Sequence, residues 1–292
     1  MPSVTSNGLT IEYEIGGSGP PLLLIMGLGG QLTDWPRAFV ELLEADFTVI
    51  RFDNRDVGLS SKIDAPAPVR RDFVRAVLRP GRAGSAYDLV DMAADTAGLL
   101  DALDIDAAHV VGMSMGGMIA QQLTLDFSSR VRSLCSIMSH TGNRISGRPK
   151  PRVLAALARR VDPHPEDVLE VTMKFFAMIG GRDWDPVEQR ARTEASLRRS
   201  FSAEGVLRQS MAIAVSPERT ERLASITTPT LVVHGLEDTL VQAIGGIATA
   251  EAIGHARLLL FPRMGHDLPS TRHREIAGAI RANASAHTFD CS

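Results

Sequence analysis

His109-Val110-Val111-Gly112-Met113-Ser114-Met115-Gly116-Gly117-Met118-Ile119-Ala120 is the stretch whose reading decides the fold. Apolar β-branched residues run into Gly112, a serine stands between glycines in the pattern G-x-S-x-G, and a helix-like run follows. A strand that turns sharply into a helix strains its middle residue. The residues two before and two after must be small, because the arms of the turn nearly touch. The serine then projects at the top of a sheet, beside the unpaired N–H groups of a helix N-terminus.

The flanks repeat the alternation of strand and helix. Leu9 to Ile15 alternates apolar and polar, as an edge strand does, and Pro21 to Met26 is an apolar run expected of a strand buried on both faces. Phe47 to Phe52 is another buried strand, and Val131 to Met138 a further one. Asp88 is placed to cap a helix in which Leu89, Met92, Ala93, Thr96, Leu99, Leu100 and Leu103 follow at helical spacing. Val69 to Arg79 reads as a short basic helix with Phe73, Val74, Val77 and Leu78 on one face. Residues 140–216 change character: many arginines, helical periodicity and no convincing strand. Strand signals return at Thr228 to His234 and Ala256 to Phe261, and an amphipathic helix over Thr271 to Ala284 closes the chain. The expectation is an α/β fold with a mostly parallel central sheet and flanking helices. Residues 1–139 and 217–292 form its core domain, and 140–216 an inserted helical cap.

Composition narrows the setting. The 292 residues suffice for one large α/β domain, and 44% hydrophobic with 22% charged residues is ordinary for a globular protein. A formal net charge of −3 gives no overall attraction to nucleic acid or anionic lipid. Cys135 and Cys291 are too few for a disulfide framework, which favours a reducing compartment. The N-terminus lacks a basic segment followed by an apolar core, and no 18-residue apolar run occurs, so neither a signal peptide nor a membrane span is expected and the location read is cytoplasmic.

A serine hydroxyl needs a base within hydrogen-bond reach, and the base needs an orienting group. In such a sheet catalytic groups belong at the carboxyl ends of strands. Two late strands run into Gly235-Leu236-Glu237-Asp238-Thr239 and Pro262-Arg263-Met264-Gly265-His266. The order Ser114, Asp238, His266 gives nucleophile, acid and base, with Glu237 a rival for the acid. The oxyanion donors expected are the backbone N–H groups of Met115, after the nucleophile, and Leu28, in the loop Met26-Gly27-Leu28-Gly29-Gly30.

These residues resemble the α/β-hydrolase family over nearly the whole chain. Asp53-Asn54-Arg55-Asp56-Val57-Gly58-Leu59-Ser60 is similar to the family's D-x-R-G-x-G-x-S segment. Two departures stand out: Met26 occupies the position of the usual histidine before the oxyanion glycine, and Asp56 that of the glycine after the turn arginine. Both look like variations in a subgroup of carboxylesterases and lipases and in the aclacinomycin methylesterases. The resemblance implies ester hydrolysis through an acyl-enzyme, with no metal or cofactor, and leaves the acyl and alcohol groups open.

Met26, Leu240, Leu268, Phe175 and Phe176 are candidates for an apolar pocket suited to a small-molecule apolar ester. The same triad could serve a cofactor-free perhydrolase or haloperoxidase, or a carbon–carbon bond hydrolase, and the fold alone could serve a non-catalytic ligand receptor. Oligomeric state is not legible. Gly27-Leu28-Gly29-Gly30 fails as a dinucleotide fingerprint, because Leu32 stands where the third glycine belongs. His164-Pro165-Glu166 echoes a zinc deaminase without the cysteines to complete the site.

Overall fold

The computed structural model describes residues 2–78, 84–143, 145–159 and 168–286. His164-Pro165-Glu166, Cys291 and the end of the basic stretch after residue 78 lie outside them. Strands β1 (Ser3–Ser6), β2 (Leu9–Gly17), β3 (Pro21–Ile25), β4 (Thr48–Phe52), β5 (Ala108–Met113), β6 (Val131–Ile137), β7 (Thr230–Gly235) and β8 (Arg257–Phe261) make one sheet. Its order is β1-β2-β4-β3-β5-β6-β7-β8. The pairs β1/β2 and β2/β4 are antiparallel and every later pair is parallel, so the carboxyl ends from β4 to β8 share one rim.

The helices are α1 (Arg37–Glu44), α2 (Arg70–Leu78), α3 (Leu89–Ala102), α4 (Met115–Asp126), α5 (Pro151–Arg159), α6 (Val168–Ile179), α7 (Pro186–Arg199), α8 (Ala203–Val215), α9 (Thr220–Leu223), α10 (Ile244–Ile253) and α11 (His273–Ser285). Leu22 and Leu24 face a core cluster with Phe39 of α1 and Ile276 and Ile280 of α11. Leu23 and Ile25 face the opposite cluster, with Met92 and Leu99 of α3 and Ile119 and Leu123 of α4. Adjacent residues of one strand thus feed two cores, which is why these strands read as unbroken apolar runs. Asp88 caps α3, accepting from the Val90 and Asp91 amides, and the Asp91 side chain accepts from the Asp88 amide in return.

Two expectations are corrected. The Leu9 strand is not the edge, because Ser3–Ser6 pairs outside it. The two strands are joined by Asn7 and Gly8, both with positive φ (50° and 76°), the two-residue hairpin that an Asn-Gly pair favours. In α2 the expected apolar face is buried only in part: Phe73 is half-buried, while the other two described members are exposed. Val74 is 50% and Leu78 73% exposed, whereas Ala76 is fully buried on a helix that packs against α8. No helix among the described residues is long and apolar enough to cross a membrane.

Candidate active site

Ser114 stands between β5 and α4 with φ 57° and ψ −120°, a left-handed conformation that costs a non-glycine residue on the order of 1 kcal/mol. Its amide donates to the Ile137 carbonyl at 2.8 Å. A Cβ on Gly112 would lie 2.1 Å from the Gly116 carbonyl oxygen, and one on Gly116 2.0 Å from that of Ile25. Both contacts are with backbone, so the glycines are what allow β5, α4 and the end of β3 to converge.

His266 follows β8. Its amide donates to the Ile179 carbonyl at the end of α6 (2.8 Å). The adjacent Asp267 carboxylate accepts from the Gly181 and Gly265 amides, both at 2.9 Å. The imidazole Nε2 lies 2.9 Å from Ser114 Oγ and Nδ1 2.6 Å from Asp238 Oδ2. A carboxylate can only accept, so the Nδ1 proton faces Asp238 and Nε2 is left to accept the serine proton.

Asp238 is itself held on both oxygens. Oδ1 accepts from the Leu240 and Val241 amides at 2.8 Å each. His234, fully buried at the end of β7, lies 3.5 Å from Oδ2 and donates through Nε2 to the Val241 carbonyl at 2.7 Å, closing the loop around the acid. Burial works against the carboxylate charge, but the neighbouring His266 and His234 imidazoles outweigh it, and Asp238 stays below the ordinary carboxylate range. Glu237 points elsewhere: its side chain accepts from the Arg182 amide and guanidinium at the surface (2.8 and 2.6 Å). The structure therefore brings Asp238, and not Glu237, to the imidazole.

The loop after β3 packs directly on the serine, since a Cβ on Gly27 would be 3.1 Å from Ser114 Cβ and 3.7 Å from Oγ. Gly27 to Gly30 is a turn closed by the Gly30 amide on the Gly27 carbonyl (3.1 Å), with Gly29 at φ 69°. The Leu28 N–H donates to no acceptor among the described residues. Met115, the first residue of α4, is fully buried. The apolar candidates fall into two groups. Met26 and Leu268 lie in the core cluster with Trp35 and Met264, while Leu240 and Phe176 pack against Val153, Phe175 and Ile179 of the helices between β6 and β7.

The strand-end turn holds two of those helices, α7 and α8. Asp53 accepts from the Leu32 and Leu59 amides and from Arg199 of α7 at 2.7, 2.8 and 2.7 Å. Asp56, at φ 74°, is fully buried and receives two bonds from Arg208 of α8 (2.9 and 2.8 Å), one from the Tyr87 hydroxyl (2.7 Å) and one from the Ile63 amide (2.9 Å). Burial opposes its charge, but those bonds prevail and hold its carboxyl below the usual range. The left-handed backbone explains why glycine suits this position, and aspartate is among the residues that tolerate it. The departure at Asp56 thus has a partner, Arg208, that the motif alone does not reveal. The buried residues of α8 are Gly205, Arg208, Gln209, Met211 and Ala212, and two of these five are strongly polar.

The alpha/beta hydrolase fold family matches residues 20–272. The chain is similar to two rhodomycin D methylesterases. One is DauP of Streptomyces sp. (strain C5), 31% identical over 92% of both chains. The other is DnrP of Streptomyces peucetius, 30% identical over 98% of both. Among solved structures, the esterase RhEst1 from Rhodococcus sp. ECU1013 superposes with a TM-score of 0.77 at 21% identity, covering 97% of this chain and 98% of that one.

Proposed function

This chain belongs to the α/β-hydrolase fold family, a hydrolytic one, and from that premise we propose that it cleaves small-molecule carboxylic esters with Ser114, His266 and Asp238 as its triad. The observation that carries the reading is the unbroken hydrogen-bond chain from Ser114 Oγ through His266 to Asp238, at 2.9 and 2.6 Å. Ser114 Oγ attacks the ester carbonyl carbon while His266 Nε2 takes its proton. Asp238 fixes the imidazole tautomer and stabilises the imidazolium. The Leu28 and Met115 amides hold the oxyanion, each worth ~3–4 kcal/mol in the transition state. His266 returns the proton to the leaving alkoxide. It then activates a water that releases the acid and frees the serine.

The two relatives at about 30% identity are methylesterases, so the leaving alcohol we assign is methanol or another short alcohol. The acyl part falls to the segment 140–216, read as a cap: His266 rests on Ile179, and the Thr239 hydroxyl donates to the Met178 carbonyl at 2.9 Å. Phe176 and Leu240 make that side apolar. We place the enzyme in a reducing compartment, the cytoplasm, on the cysteine usage. The test is hydrolysis of p-nitrophenyl esters of graded acyl length and of an aromatic methyl ester by wild type and Ser114→Ala. The expected loss in kcat is roughly 10⁴- to 10⁶-fold. Undiminished turnover by Ser114→Ala removes the serine from the mechanism.

A further inference from the structure

We infer that Gln209, on α8 of the helical insertion, is a positioning residue for the oxyanion loop and makes oxyanion stabilisation depend on the seating of that helix. The inference rests on the hydrolase reading above. Gln209 is fully buried and both ends of its amide are used. Oε1 accepts the Gly29 N–H at 2.8 Å, and Nε2 donates to the Arg55 carbonyl at 2.8 Å. One partner is a donor and the other an acceptor, so the amide orientation is fixed.

What it holds matters. Gly29 follows Leu28, and its peptide is the middle one of the Gly27–Gly30 turn. In a turn of this kind the central peptide can flip at modest cost when its N–H is unattached, because glycine at the third position accepts either sign of φ. With Gly29 at φ 69°, the acceptor on its N–H selects one orientation. On the other side of Leu28, Asn54 Nδ2 donates to the Met26 carbonyl at 3.0 Å. The donor peptide Gly27–Leu28 is therefore gripped before and after by side chains, one from the core and one from the insertion. The helix that carries Gln209 is pinned next door by Arg208 on Asp56 at 2.8 and 2.9 Å. A Cβ on Gly205, one turn earlier, would lie 2.1 Å from the Asp56 carbonyl oxygen, so α8 rides directly on the strand-end turn.

A loose donor is felt where the oxyanion forms, not where the ester first binds. Gln209→Leu keeps the volume and removes both bonds. Its kcat on p-nitrophenyl butyrate is expected to fall about 10- to 100-fold, the scale on which small misplacements act, with KM within about twofold, since ground-state binding is spared. Inhibition by a trifluoromethyl ketone, whose serine adduct places an oxyanion in the same site, should weaken by the same factor as kcat. Gln209→Glu keeps an acceptor for Gly29 but, as a carboxylate, sets a second acceptor against the Arg55 carbonyl, so it should restore neither kcat nor inhibitor affinity. If Gln209→Leu does not fold, Gln209→Asn, too short to span both partners, takes its place with the same expectations. Unchanged kcat and inhibitor affinity overturn the inference, as does a rise in KM that matches the loss of inhibition. Ser114→Ala run alongside separates the two readings. Activity lost there but kept in the Gln209 variants rejects only the positioning role, whereas activity kept in Ser114→Ala rejects the triad.

Discussion

Replacing Asp56 by alanine should cost the fold far more than an average substitution, and the structure allows the loss to be apportioned. Asp56 is the nearer of two anionic partners of the Arg208 guanidinium, whose side chain is only 3% exposed; the other is Glu204. Removing the carboxylate takes away the two bonds and the nearest counter-ion of that cation, leaving it the Ala65 carbonyl at 2.9 Å and Glu204 at 3.5 Å; breaking a buried pair from one side costs about 3–5 kcal/mol. Alanine at φ 74° adds about 1 kcal/mol of backbone strain. The Tyr87 hydroxyl also loses its acceptor, and these terms overlap because they share one site. The expected destabilisation is about 4–6 kcal/mol for Asp56→Ala and ~1 kcal/mol less for Asp56→Gly, which lacks the strain. The double variant Asp56→Gly/Arg208→Leu should recover most of the loss, because removing both charges is far milder than removing one. Urea unfolding followed by circular dichroism, with constant slope across the four proteins, reads these differences directly. The pH arm has a definite sign. A carboxyl held below its unfolded value of ~3.9 contributes stability that is present above that pH and lost as pH falls through the lower folded value. Wild type should therefore lose more stability than Asp56→Gly below about pH 4. An Asp56→Ala protein within about 1 kcal/mol of wild type, or a double variant no better than the single, would refute the reasoning.

The two adjacent carboxylates should separate cleanly. Asp238→Asn is expected to lower kcat about 10⁴-fold, as when a triad acid is replaced by its amide. Glu237→Gln should leave it within about twofold, because its carboxylate is committed to Arg182 at the surface. Steady-state kinetics on one p-nitrophenyl ester decides this, and a larger loss from Glu237→Gln reverses the assignment. Gly112→Ala should lower kcat by at least ~10²-fold, since the added carbon meets the Gly116 carbonyl oxygen at 2.1 Å and the elbow must open. Full activity in that variant would show that the elbow yields without consequence.

The sheet and the position of the serine were legible because their signals are local. Apolar runs buried on both faces, the Gly112–Gly116 spacing and the Asp88 cap each need only a few consecutive residues. The order Ser114, Asp238, His266 follows from where strands end. What escaped involves distance along the chain or a choice between equals. Nothing near residue 56 announces Arg208, and nothing near Leu28 announces Gln209, because those contacts span 152 and 180 positions. Asn7-Gly8 is a local hairpin signal that the reading of Leu9–Ile15 as an edge strand passed over. Glu237 and Asp238 could not be ranked from composition, since they differ only in which side of the loop each occupies. The α2 expectation weighs large apolar side chains, whereas the fully buried residue there is the small Ala76.

The backbone of Ser114 has one more implication. A residue at φ 57° and ψ −120° is there because the turn around it demands the conformation, not because serine prefers it. Natural selection for reactivity and selection for durability then pull against each other at a single codon. On the proposed mechanism, exchanging Ser114 for glycine would abolish chemistry yet leave a molecule about 1 kcal/mol firmer. A tightly folded but inert variant therefore lies one residue exchange from this sequence.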